Sequence, residues 1–196
     1  MKSETTKLMS AEGQALVLAS GGLDSSTLIT MVSQQGIPAK ALFIDFGQPA
    51  AQSEKTAVRA ITAQHKIPLK CVTYTGSAFA SGEVRGRNAF FLSLALMEFE
   101  VGSGTILIGI HAGTGYLDCS PEFVELMQRY LDFHAGGAIT LSAPFIDWSK
   151  GDVARLASEL GTPVDLTYSC ETGNQPCGIC SSCRDIESLG LLGLKN

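Results

Sequence analysis

Short apolar runs alternate along this chain with longer stretches whose apolar residues recur at helical spacing. Ala15 to Ala19, Ala39 to Asp45, Leu69 to Thr73, Thr105 to Ile110 and Ile139 to Ala143 are runs rich in Val, Ile, Leu and Thr, bounded by Gly, Pro or charged residues, and each predicts a strand. Asp24 to Gln35, Gln52 to His65, Asn88 to Glu100, Pro121 to His134 and Trp148 to Leu160 carry the helical spacing. Pro121 suits a first helical turn, and Gly36 and Gly161 suit the left-handed position just past a helix. Regular alternation of strand and helix predicts an α/β fold: a five-stranded, mainly parallel sheet with helices on both faces. In such a sheet a ligand lies at the carboxyl ends of the strands, so the loops at 20 to 26, 45 to 49, 111 to 120 and 144 to 150 should converge on one pocket.

Composition narrows the reading. A chain of 196 residues with 45% hydrophobic content is enough for one well-buried domain with a small appendage. Residues 1 to 12 read as a flexible polar leader, 13 to 165 as the α/β domain and 166 to 196 as a C-terminal segment packed on it. The formal net charge of -5 argues against a direct nucleic-acid partner and favours a small molecule. Neither a secretory leader nor an apolar stretch of membrane-spanning length is visible, so a cytoplasmic protein without a membrane partner is expected.

The chemistry concentrates in two places. Ser20-Gly21-Gly22-Leu23-Asp24-Ser25-Ser26 joins the first strand to the first helix. Gly21 and Gly22 let the backbone approach an anion, while the serine hydroxyls and the first amides of the helix supply donors, so the loop should hold a phosphate or pyrophosphate. The loop lacks the spacer and the Gly-Lys-Ser/Thr ending of a Walker A sequence. Gly-Gly followed by Asp-Ser also serves as turn and N-cap chemistry at a strand-to-helix junction. The second place is the run Cys170, Cys177, Cys180 and Cys183, whose spacing suits tetrahedral zinc held by four thiolates at a closed, structural site; an iron-sulfur cluster is the alternative for the same ligands. Cys71 reads as a small core residue, and Cys119 falls in the expected pocket.

The order Ser-Gly-Gly-x-Asp-Ser resembles the PP-loop of the ATP pyrophosphatases, which cleave ATP to AMP and pyrophosphate and activate a carbonyl or carboxyl oxygen with the adenylyl group. Together with Phe46-Gly47-Gln48, Gly86-Arg87-Asn88, Gly109-Ile110-His111-Ala112, Gly115-Tyr116-x-Asp118-Cys119 and the C-terminal cysteines, the chain is similar to the 7-cyano-7-deazaguanine synthase family, QueC, over roughly residues 15 to 190. That resemblance implies a Rossmann-like fold of the adenine nucleotide α-hydrolase type and a ligase using ATP, Mg2+ and Zn2+. It further implies adenylation of 7-carboxy-7-deazaguanine, attack by ammonia to give an amide, a second activation that dehydrates it to the nitrile, and a homodimer.

Residue by residue, Ser20, Gly21, Gly22, Leu23, Asp24, Ser25 and Ser26 are expected to bind the nucleotide, with Arg87 and Asn88 beside them. Asp24, Ser25, Lys150 and His111 are the candidate catalytic groups: Lys150 to reach the phosphates, His111 as an acid or base, and Asp24 to orient the loop, help hold Mg2+ or cap the helix. Asp118 is expected to read the guanine-like edge, Tyr116 to stack beneath it and Gln48 to contact the substrate. The chain has Pro49-Ala50-Ala51 where family members usually carry an Arg-His pair, and Gly113-Thr114 where acidic residues are usual. A wider pocket is implied, which keeps two other readings open. One is a QueC-like ligase joining the activated carboxylate to another amine, such as an amine on a protein acceptor, and stopping at the amide. The other is a non-catalytic nucleotide-binding subunit.

Overall fold

The computed structural model describes residues 13–76, 84–99 and 102–190. The expected leader at 1 to 12, Glu100 at the expected end of the third helix, and the last residues of the C-terminal segment, 191 to 196, lie outside the described residues.

Five parallel strands form one sheet: β1 (Gln14–Leu18), β2 (Ala39–Asp45), β3 (Leu69–Thr73), β4 (Gly104–Leu107) and β5 (Ile139–Ser142), in the order β3-β2-β1-β4-β5. The register sets Val17 of β1 beside Ala41 on one side and Leu107 on the other. Helices α1 (Leu23–Gln34), α2 (Ala51–Gln64), α3 (Arg87–Met97), α4 (Pro121–Ala135) and α5 (Lys150–Glu159) follow the strands in turn, and a short α6 (Ser181–Ser188) closes the described chain.

Both faces of the inner strands β1, β2 and β4 are apolar because both are covered, whereas the edge strand β3 is largely exposed and Cys71, expected in the core, lies at the surface. Ala15, Val17, Ala41 and Phe43 point to a core shared with Leu28 and Ile29 of α1, Val58 and Ile61 of α2 and Val153 and Leu156 of α5. The alternate positions Leu16, Leu18, Leu42, Ile44 and Ile106 pack on the other face against Leu92 and Ala95 of α3 and Met127 and Leu131 of α4. Cys170 and Cys183 belong to the first core, so the cysteine segment lies against α1, α2 and α5.

From β1 the chain runs outward through β2 and β3, then returns to β4 on the opposite side of β1. The crevice of a parallel sheet opens where the order reverses, here between the carboxyl ends of β1 and β4. The loop Ser20 to Gly22 follows β1, and His111 follows β4. Two glycines permit the close packing there. Gly21 has φ +80°, and a Cβ on it would stand 2.7 Å from the Glu54 carbonyl oxygen and 3.0 Å from Ala57 Cβ. A Cβ on Gly109 would stand 3.1 Å from the backbone nitrogen of Ser25. Beyond Ile108, whose amide still bonds Ser142, the chain at Gly109 passes beneath α1 rather than pairing, so β4 ends earlier than Ile110, where the apolar run ends.

Gly21→Ala is therefore expected to destabilise the protein by about 2 kcal/mol, since the new methyl meets both a disfavoured backbone and a fixed carbonyl. A lower urea midpoint with an unchanged m-value is the expected result.

Candidate active site

The start of α1 is open toward the crevice. Its N-cap is Gly22, with no side-chain cap, whereas Ser120 caps α4 and Ser149 caps α5. The first-turn amides Leu23, Asp24 and Ser25 are the groups a helix leaves without an intrahelical acceptor, and at this end they carry the positive end of the dipole. Ser25 is buried, and its hydroxyl makes only long contacts within the loop: 3.2 Å to the Ser20 hydroxyl, 3.2 Å from the Ser20 amide and 3.2 Å to the Gly22 carbonyl. Ser26 differs. It is fully buried, and its hydroxyl donates to the Gly22 carbonyl at 2.7 Å, closing the first turn from inside. Ser20 lies exposed at the loop's edge and accepts from the Gly22 amide at 3.4 Å.

Lys150 and Asp24, 126 residues apart in sequence, meet across this opening. The Lys150 ammonium donates to both Asp24 carboxylate oxygens at 2.8 Å. The capping box of α5 places that lysine: the Ser149 hydroxyl accepts from the Asp152 amide at 3.2 Å, and the Asp152 carboxylate accepts from the Ser149 amide at 3.1 Å. His111 stands behind the pair, with Nε2 4.0 Å from an Asp24 oxygen and only 6% of its surface exposed. Burial pushes its pKa below the usual histidine value. Asp24 and Asp185 pull it upward and Lys150 downward, and burial prevails.

The far wall of the crevice is a knot between α3 and the turn after β4. The buried Asn88 donates from Nδ2 to the Asp118 carbonyl at 3.0 Å and from its amide to the Asp118 carboxylate at 3.3 Å. Cys119 is buried beside them, and burial pushes its thiol pKa up. Tyr116 packs half-buried against the core under α3 and α4. Arg87, half-buried at the first position of α3, lies close enough to Glu54 to stabilise its charged form. Glu54 is bonded by Gln48 Nε2 at 2.7 Å, and burial raises its pKa. The other amide atom of Gln48 accepts from the Phe46 amide at 2.8 Å, so this side chain braces the turn after β2.

A third element closes the crevice from the C-terminal side. The Tyr168 amide donates to the Gly21 carbonyl at 2.8 Å, and the Ser53 amide and hydroxyl bind Asn174 at 3.1 Å each. Between these ties, the sulfurs of Cys170, Cys177, Cys180 and Cys183 all lie within 4.8 Å of one another, with Cys177 and Cys183 3.9 Å apart. Sulfurs placed about 2.3 Å from one tetrahedral ion stand roughly 3.8 Å from each other, so the four fit a single metal ion. The Thr172 hydroxyl, with the amides of Ile179 and Cys180, holds Cys177 down to about 6, while burial pushes Cys183 up to about 12.

The family model described as queuosine biosynthesis protein QueC matches residues 14–81 and 72–188. The chain belongs to the QueC family. A relative named 7-cyano-7-deazaguanine synthase from Oceanobacillus iheyensis is 34% identical, over 87% of this chain and 90% of its own length. One of the same name from Pseudomonas savastanoi pv. phaseolicola is 33% identical, over 91% and 92% respectively. The fold is also that of NMN synthetase from Francisella tularensis, with a TM-score of 0.50 at 17% identity over 93% of this chain and 74% of that one. The U34-tRNA thiolase NcsA from Methanococcus maripaludis gives 0.53 at 13% identity, over 92% and 68%.

Within this QueC-family chain, Asp24, Lys150 and His111 meet at the start of α1, and Asn88 meets Asp118 at the start of α3, where Arg87 also lies. The Gln48 amide is engaged with Phe46 and with Glu54 of α2. Ser26 points away from the opening, because a buried serine one turn into a helix bonds back to the backbone. Sequence reasoning assigned no role to Glu54, Tyr168 or Thr172. The tie of Tyr168 to Gly21 runs through the backbone, which side-chain identity does not reveal.

In metal-free protein at neutral pH, Cys177 is expected to be alkylated by iodoacetamide well before Cys183 and Cys119, and bound metal should protect the four clustered thiols. Peptide mass mapping over a time course reads the order.

Proposed function

We propose that this protein is a carbon-nitrogen ligase that adenylates 7-carboxy-7-deazaguanine with ATP and passes the activated carboxyl to ammonia. A second adenylation of the resulting amide then expels AMP to leave the nitrile, so that two ATP are converted to two AMP and two pyrophosphates per nitrile. The observation that carries this reading is the uncapped start of α1 facing the Asp24–Lys150 pair at the switch point of the sheet. Membership of the QueC family supports the substrate.

A carboxylate lacks a good leaving group, and adenylation supplies one. Charge then grows on the departing pyrophosphate, where donors already in place help most. The amides of Leu23, Asp24 and Ser25 are such donors, joined by the hydroxyls of Ser20 and Ser25 once the long contacts between them exchange for phosphate oxygens. Lys150 adds a full positive charge. Asp24 acts by holding that lysine, both of its oxygens accepting from the ammonium, which makes it a positioning group. Mg2+ arrives with the ATP phosphates. On the other wall, Asp118 accepts from the N1-H and exocyclic amine of the base with Tyr116 beside it, and Arg87 and Asn88 line the nucleotide side. Cys170, Cys177, Cys180 and Cys183 would hold zinc, which would brace the segment that sets Tyr168 against Gly21, a structural task suited to a site whose four ligands leave no open position.

Mg-ATP, 7-carboxy-7-deazaguanine and ammonium are expected to give AMP and a product of nitrile mass at two AMP per nitrile. ADP in place of AMP, or no turnover with this substrate, would sink the proposal. Lys150→Met, which keeps the stem and removes the charge, should lower kcat/KM for ATP about 100-fold or more. Asp118→Asn retains an acceptor for the Asn88 amide but cannot pair with both base donors. It should raise KM for the deazaguanine while leaving KM for ATP within a few-fold.

A further inference from the structure

One buried polar atom beside the site has no task in the scheme above. His111 Nδ1 has no hydrogen-bond partner among the described residues, although the side chain is almost wholly enclosed. A nitrogen left in that state costs about 1–3 kcal/mol unless something binds it. The ring's other nitrogen looks toward the Asp24 carboxylate at 4.0 Å, and the tautomer that sets Nε2–H toward that charge leaves Nδ1 with a free lone pair.

The cover over this lone pair carries no side chain at Gly113. Two residues on, Gly113 is exposed at the surface of the 3-10 turn Ala112–Thr114. A Cβ there would stand 3.1 Å from Nδ1 and 3.4 Å from Cε1, with no other non-neighbouring heavy atom within 4 Å. The turn does not need glycine for its dihedrals, because Gly113 is absent from the positive-φ residues. Nδ1 itself is out of contact with solvent, and the missing methyl leaves the cover over it thinner by one carbon at an exposed turn.

We propose that His111 Nδ1 and the uncovered face of Gly113 form the subsite for the attacking amine, Nδ1 taking the proton that the amine sheds. This subsite deepens the adenylating activity proposed above and has meaning only with it. In the step it serves, the amine nitrogen forms a bond to the acyl carbon, and the bond from that carbon to the AMP oxygen breaks with its electron pair leaving on AMP. One N–H proton passes to Nδ1 and from there to solvent. A neutral ring is required at the start. Burial keeps it so against Asp24 of α1 and Asp185 of α6, with Lys150 of α5 acting in the same direction as burial.

The test separates two partial reactions in otherwise intact protein. ATP–pyrophosphate exchange dependent on 7-carboxy-7-deazaguanine reads adenylation, and single-turnover amide formation on adding ammonium chloride reads the amine step. His111→Gln keeps a polar side chain that cannot take the proton, and Gly113→Ala keeps the histidine but sets a methyl about 3.1 Å from Nδ1. In both variants the ratio of amine step to exchange should fall about 100-fold. At constant free ammonia, the wild-type amine step should lose rate as pH drops through the lowered pKa of the ring, and His111→Gln should lack that limb. An unchanged ratio, or an equal fall of both partial reactions, overturns the subsite while leaving adenylation standing. Absence of exchange in the wild type overturns adenylation and the subsite with it.

Discussion

The junction at Gly21 is the constraint on which the rest depends. Here the chain leaves β1, turns with a backbone that side chains rarely adopt, and presses its Cα against the Glu54 carbonyl and Ala57 of α2. Its own carbonyl is taken by the Tyr168 amide from the far end of the chain. One residue therefore sets three distances at once: β1 to α1, α1 to α2, and the anion loop to the cysteine segment. A methyl at this point cannot be absorbed by a side chain moving aside, because the atoms it meets include backbone.

From that junction the electrostatics of the crevice follow. With α1 held end-on to the opening and uncapped by any side chain, its amides become a site for negative charge. The fold then brings its cation from the edge of the sheet: α5 follows the edge strand β5, and its capping box sets Lys150 at the first helical position, within reach of Asp24. The pair is partly shielded from solvent, with 24% and 17% of the two side chains exposed, and each charge has the other as partner before ATP arrives. The cysteine segment lies in the core that carries α1, α2 and α5, with Cys170 and Cys183 as buried members of it. Metal binding at four thiolates thus bears on the anion loop through packing and one backbone hydrogen bond. It need not take part in the chemistry.

Much of this is legible in the sequence, for definite reasons. The β2 bounds and all five main helices, to within two or three residues at each end, follow from apolar periodicity because each element buries a face in the core, while the bounds of the exposed edge strand β3 follow from its short run between Pro68 and Tyr74. Helix α6 escapes periodicity, since what it turns inward is Cys183 and its start is capped by the Cys180 sulfur, a pattern set by metal ligation rather than hydrophobic burial. The gathering of Lys150, Asp24 and His111 is legible from the rule that loops after parallel strands meet at one end. Which hydroxyl is free to exchange partners is not: Ser25 and Ser26 are equivalent in sequence and both donate to the Gly22 carbonyl, but Ser26 does so at 2.7 Å and Ser25 only at 3.2 Å, where it also meets the Ser20 hydroxyl. Gln48 and Glu54 likewise look like two independent polar residues until the bend after β2 brings them to 2.7 Å.

The account turns on where ATP is attacked. An acyl adenylate transfers one oxygen of the substrate carboxylate to AMP when the carbon-nitrogen bond forms. With 7-carboxy-7-deazaguanine carrying 18O in its carboxyl group, mass spectrometry of the AMP released on adding ammonium should show one 18O atom, a gain of about 2 Da. AMP without label, with the 18O recovered in phosphate or still entirely in the amide and water, would contradict adenylation at the start of α1.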